Sequence, residues 1–204
     1  MRKHSVVSIA GLLLLAPSLS FAQEARMRSV LILAERATDG RIAATREALE
    51  HWNETLAELG ASVRFAAPEV AVGAPAIAEL ERFVVETAEL IEPPSVPAVL
   101  MSLTQDLIVF LSSNEDLISF AWSFDPLRAA VMIRADTVPP LSLPNVARNL
   151  IAHEVGHTLL LEHNADATTL MCGRPAECRP GAFRSDEPRF FPLTDADRAS
   201  LRDL

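Results

Sequence analysis

Tyrosine is absent from the chain, and lysine occurs once, as Lys3, against 17 arginines. Chemistry that needs a phenol is therefore excluded, and so is a catalytic lysine anywhere after residue 3. Two cysteines are too few for a disulfide-dense scaffold, and seven glycines too few for a collagen-like repeat. Basic charge is in short supply: the net charge is −9 and the pI about 5.0. No basic stripe can neutralise phosphates, so nucleic acid is excluded as a partner. Long apolar runs are missing too. The longest, 6–16, is about half of the roughly 20 residues a membrane span requires.

That run has a different reading. Arg2, Lys3 and His4 precede it, and Ser20-Phe21-Ala22 puts small residues at −3 and −1 of a cleavage site. This is the pattern of a signal peptide over 1–22, with the mature chain starting at Gln23. The protein is expected to be exported, periplasmic or extracellular, and free of the membrane after cleavage. Cys172 and Cys178 would then meet an oxidising compartment.

What remains is half hydrophobic and 22% charged, enough for one domain with a real core over 23–204. Residues 29–34 (SVLILA) read as a buried strand. Residues 41–59 carry apolar side chains at helical spacing and end at Gly60. Strand 63–66 and helix 75–91 follow, the helix opened by Pro75 and stopped by Pro93-Pro94. Strands are expected at 106–112, 119–124 and 129–134. A helix runs from 144 to about 160, capped by Ser142 or a neighbour. Residues 164–192, rich in Pro, Gly and Arg, read as mostly irregular. A last helix covers 194–204, with Thr194 and Asp197 spaced as a capping box. The fold class is α+β, with an α/β-like upper part (23–163) and a smaller lower part (164–204) facing each other across a cleft.

One stretch carries chemistry: His153-Glu154-Val155-Gly156-His157, then His163. Residues four apart share a helix face, so His153 and His157 can aim at one point. Zinc accepts imidazole nitrogen at about 2.0–2.1 Å and, in catalytic sites, takes three protein ligands and leaves one position open. His163 lies far enough on for the chain to leave the helix and return as the third ligand. Glu154, next to a ligand, can reach a water at the metal without binding the metal, as a general base must.

The pattern H-E-x-x-H-x-x-x-x-x-H followed by Met171 resembles the metzincin clan of zinc metallopeptidases, whose usual form adds a glycine after the second histidine and a Met-turn. Leu170-Met171-Cys172-Gly173 is similar to that Met-turn. The polar stretch between His163 and Met171 is most similar to that of the matrixins. Residues 47–53, with Trp52, resemble the first matrixin helix, and 75–91 would be an added one. The resemblance implies a metzincin-like twisted mixed sheet, one catalytic zinc held by His153, His157 and His163, Glu154 as base, and hydrolysis within peptide or protein substrates by a monomer. It also implies that the chain after Met171 shapes a substrate pocket, which makes Arg174 and Arg179 candidate selectors. The edge strand around Trp122 is a candidate for pairing with extended substrate. Phe120, Trp122 and Phe124 can equally alternate as core and surface packing. A Cys172–Cys178 disulfide would clamp the pocket loop; two free thiols are the alternative.

The departures from the clan are specific. Its glycine is Leu160 here, so Leu160 either takes a left-handed backbone, offset by burial under the zinc helix, or the helix ends by another turn; the first is expected. Only 23–28 separate the cleavage site from the first strand, which leaves no room for an inhibitory prodomain. His51 reads as a surface residue, so no second histidine-built zinc site is available. Calcium loops of the EF type are absent, although a looser calcium site is compatible with the sequence. The lack of tyrosine excludes the astacin arrangement. Two other functions fit: a non-catalytic or weakly active zinc-binding envelope protein with the same fold, and a gluzincin-like peptidase using Glu177 as third ligand.

Overall fold

The runs VLILA, LIVFL and AAVMI are buried at every position, as strands covered on both faces must be. The computed structural model describes residues 25–87, 98–125, 127–173, 178 and 180–204. Its elements are β1 (Arg26–Arg28), β2 (Val30–Ala34), α1 (Gly40–Leu59), β3 (Val63–Phe65), β4 (Glu69–Val72), α2 (Pro75–Thr87), α3 (Ala98–Ser102), β5 (Leu107–Leu111), β6 (Phe120–Ser123), β7 (Ala129–Ile133), α4 (Pro144–His157) and α5 (Asp195–Arg202). The main sheet has the order β4-β2-β5-β7-β6. Its first four strands are parallel, and β6 lies antiparallel to β7 at the edge.

Alternate residues of the parallel strands feed two cores, as the period of two requires. Ile32, Val109 and Val131 face α1 and α4, whereas Leu33, Ile108 and Met132 face α2 and α3. On the first face, Trp52 of α1 is fully buried and its Nε1 donates to the Ala152 carbonyl of α4 at 2.9 Å. Helix α1 starts at Asp39, whose carboxylate accepts from the Arg41 backbone, and stops at left-handed Gly60. The buried Arg41 guanidinium donates to the Ser112 and Arg134 carbonyls at 2.7 Å each. It thereby locks the start of α1 to the ends of β5 and β7.

The smaller C-terminal part is tied to α4 by two buried asparagines one turn apart. Asn145 accepts from Arg189 N at 2.9 Å and donates to Phe183 O at 2.8 Å. Asn149 accepts from Phe191 N and donates to Arg189 O, both at 2.8 Å. These side chains give an otherwise irregular segment the partners a strand would supply, while Phe183 and Phe191 join the core. The capping box forms as expected: Thr194 and Asp197 exchange side chain-to-backbone bonds.

Several elements differ from the sequence reading. Strand 63–66 is present as β3 and pairs with β1 in a two-stranded sheet beside the main one. The neighbour of β2 is instead β4, whose four residues EVAV are too short and too exposed to stand out as an apolar run. Helix α4 begins at Pro144 as expected, and its cap position falls on Leu143, the neighbour of Ser142, which supplies no side-chain cap bond; Pro144 at its first turn leaves one fewer donor to satisfy. It ends at His157, not near Leu160. His51 is half-buried rather than a surface residue: its ring stacks on Phe190 at 4.1 Å, and burial pushes its pKa down to about 4. The expected signal segment, and residues 88–91 of the expected second helix, lie outside the described residues. No helix among the described residues is long and apolar enough to cross a membrane.

Candidate metal centre

The centre is assembled from the end of α4 and the loop that follows. His153 and His157 project from one face of the helix, and His163 comes back to meet them. The three Nε2 atoms lie 3.1 Å (His153–His163), 3.2 Å (His153–His157) and 3.0 Å (His157–His163) apart. Among the described residues this is the one group of His, Cys, Asp and Glu placed to hold a metal.

Hydrogen bonds at the far side of two rings set their chemistry. His153 Nδ1 lies 2.7 Å from the Leu170 carbonyl, and His157 Nδ1 lies 2.7 Å from the Leu161 carbonyl. A carbonyl only accepts, so both rings carry their proton on Nδ1 and present the Nε2 lone pair. Lone pairs converging at this spacing repel unless a cation sits among them. A tetrahedral ion at about 2.0–2.1 Å from each nitrogen would put them about 3.3 Å apart, close to the spacing seen. The donor set, all imidazole with two rings anchored by carbonyls, suits zinc. Burial holds the pKa of His153 down at about 4, and that of His157 is lowered for the same reason. The neutral form that ligates is thus favoured.

Glu154 follows His153 on α4. It is buried, has no hydrogen-bond or ion-pair partner among the described residues, and burial raises its pKa to about 8. A cation nearby would return it to the carboxylate. A buried carboxyl without a partner among the described residues is available to a water or a substrate.

Beneath the triad, Met171 is fully buried. Gly156, between the ligands, leaves room for it: a Cβ there would fall 2.8 Å from Met171 Sδ and 3.0 Å from the Trp52 ring. The loop carrying His163 pairs with the segment after Met171, through Asn164 N to Met171 O at 2.9 Å and Gly173 N to Asn164 O at 3.1 Å. This pairing presses Gly173 against His163, where a Cβ would come within 2.2 Å of the ring. No periodicity or motif spacing in the sequence signals such an approach at Gly173. Cys172 and Cys178 form a disulfide with Cα atoms 5.8 Å apart, within the usual range.

Leu160 does take the left-handed conformation, with φ 64°, alone among the described non-glycine residues. The helix closes by a Schellman motif, Leu161 N donating to Gly156 O and Leu160 N to His157 O, with Leu160 where glycine usually stands. The expected burial is absent, however: Leu160 is 72% exposed. Its side chain points away from the core and offsets nothing. Leu160→Gly should therefore stabilise the metal-loaded protein by about 1 kcal/mol, the left-handed penalty less the entropy glycine loses on folding. Leu160→Ala, which keeps the penalty, should stay within about 0.5 kcal/mol of the parent. Urea melts of the three proteins check this; a glycine variant less stable than the parent would contradict it.

The ring of Trp122 stacks on Phe83 of α2, 5.5 Å between centroids, in the core on the sheet face away from α4. Phe120 and Phe124 pack in the same cluster. The backbone of β6 still forms the edge of the main sheet, with β7 as its one partner among the described strands. Arg174, Arg179 and Glu177 lie outside the described residues.

No protein-family model matches this chain, and no curated protein matches it in sequence. Among solved structures, archaemetzincin from Methanopyrus kandleri is similar at a TM-score of 0.50 and 15% identity, over 90% of this chain and 96% of that one. A zinc-dependent peptidase from Methanocorpusculum labreanum is 13% identical over 85% of this chain and 100% of its own; its TM-score of 0.41 is too low to carry an argument. The chain thus has a metzincin-like fold, α+β with a twisted mixed sheet.

Proposed function

We propose that this protein is an exported zinc-dependent endopeptidase, matrixin-like in the spacing of its third histidine and Met-turn. The observation that carries this reading is the convergence of three imidazole nitrogens, with the buried Glu154 next to the first of them in the chain. His153, His157 and His163 would hold one zinc. When bound, zinc supplies a Lewis acid for the scissile carbonyl and lowers the pKa of a water. Glu154 takes the proton from the attacking water and delivers it to the leaving amine nitrogen. The exposed edge of β6 pairs with the backbone of an extended peptide. The Cys172–Cys178 disulfide fixes the start of the pocket wall. The catalytic unit is 23–204, acting as a monomer in the periplasm or outside the cell.

A non-catalytic envelope role draws its support from the missing glycine. Leu160 nevertheless adopts the turn glycine would take, and His163 reaches the other ligands, so that departure does not open the site. Digestion of a peptide library by the mature chain tests the proposal. Internal cleavage should be abolished by a chelator and restored by zinc. A zinc-loaded protein that cleaves nothing would favour the binding role.

A further inference from the structure

The turn that delivers the third histidine is held from the opposite end of the chain. Its carbonyls have donors: Gly156 O receives Leu161 N, and His157 O receives Leu160 N. The Thr158 carbonyl, one of those a helix end leaves without a backbone partner, receives Arg28 Nη1 at 2.9 Å. Arg28 closes β1 and is only 8% exposed. Its Nη2 lies 3.4 Å from each of the carbonyls of Asp106 and Leu127, just ahead of β5 and β7. Arg28 thus links the metal-helix turn to the end of the β6–β7 hairpin, across a groove of about 250 Å³ that Leu127 and Leu160 also line.

Arg28 also lies over the Phe65 ring, 5.5 Å from its centroid, and the charge of Asp106 opposes part of the effect of burial on it. Among the described residues, however, Arg28 Nε has no hydrogen-bond partner and no carboxylate is within ion-pair distance of the guanidinium. Burial lowers its pKa. A buried cation without a paired anion is costly, and an apolar side chain of similar volume is often the more stable choice. The neighbouring turn, by contrast, needs holding. A non-glycine residue at positive φ persists only where its surroundings over-determine it, and the exposed side chain of Leu160 contributes no packing.

We propose that Arg28 is a positioning residue for the metal site, its guanidinium holding the Thr158–Leu161 turn so that His157 and His163 close on His153. Two ligands depend on this turn: the Leu161 carbonyl orients the His157 ring, and His163 follows two residues later. The inference rests on the triad being the metal site.

The test is the zinc dissociation constant, measured by chelator competition on the full mature chain, alongside melting of the metal-free protein. R28M should weaken zinc by about tenfold or more, in the range seen when the groups supporting a ligand are removed. R28K reaches the Thr158 oxygen but cannot fork to the other carbonyls, and should weaken zinc several-fold. R28M combined with L160G should recover most of the affinity, because glycine needs no support in this turn. A role confined to stability would lower the metal-free melt and leave the zinc constant unchanged. If R28M does not fold, R28K decides: a folded R28K binding zinc within twofold of the parent overturns the inference. A parent that binds no zinc overturns the site reading itself, and this inference with it.

Discussion

Replacing Glu154 by Gln is expected to leave zinc bound and to slow peptide cleavage by about 10²–10⁴-fold, the usual cost of removing a positioned base. The amide has nearly the shape of the acid but cannot take a proton from water. Because Glu154 makes no hydrogen bond or ion pair among the described residues, the substitution breaks no structural contact. It also removes a group whose ionisation burial opposes, so the metal-free protein should melt no lower than the parent. Steady-state cleavage with parallel metal analysis checks both halves. Parental rates from a zinc-loaded Glu154→Gln would remove Glu154 from the mechanism.

Gly173→Ala is expected to cost more than a surface glycine should. The new Cβ would lie 2.2 Å from His163 Cδ2 and 2.5 Å from Nε2. One of the two must move. Asn164 holds the Gly173 backbone through a 3.1 Å bond, and the disulfide at Cys172 adjoins it, so the imidazole yields. Zinc affinity should fall by at least the roughly 10–100-fold typical of disturbing a ligand's support. The metal-free melt should fall less than the zinc affinity, because His163 is exposed and adds little to the core. Chelator competition measures the loss; a variant that binds zinc like the parent would show that His163 is not held at this position.

The histidine cluster was legible in the sequence because helical spacing is rigid: four residues bring His153 and His157 to one face whatever surrounds them. The three central strands were legible because they are apolar throughout. What escaped depends on contacts between distant segments. Strand β4 has too little apolar character to be seen without β2 beside it. Asn145 and Asn149 read as ordinary helix residues until the 183–191 segment lies against them. The ring of Trp122 sits on the α2 side, which the alternation along β6 allowed but could not select. Leu160 divides the two cases. Its left-handed backbone was expected because the resembled clan has a glycine at this position, whereas its exposure followed from how the turn sits on the groove wall. His51 reads as polar and helical, and only Phe190 opposite makes it half-buried.

X-ray absorption at the zinc edge of the purified mature protein tests the central claim most directly. The account predicts one zinc per chain with three imidazole nitrogens and one light atom at about 2.0–2.1 Å, and the loss of one imidazole in His163→Ala. Sulfur scattering near 2.3 Å, or an unchanged spectrum in His163→Ala, would contradict it.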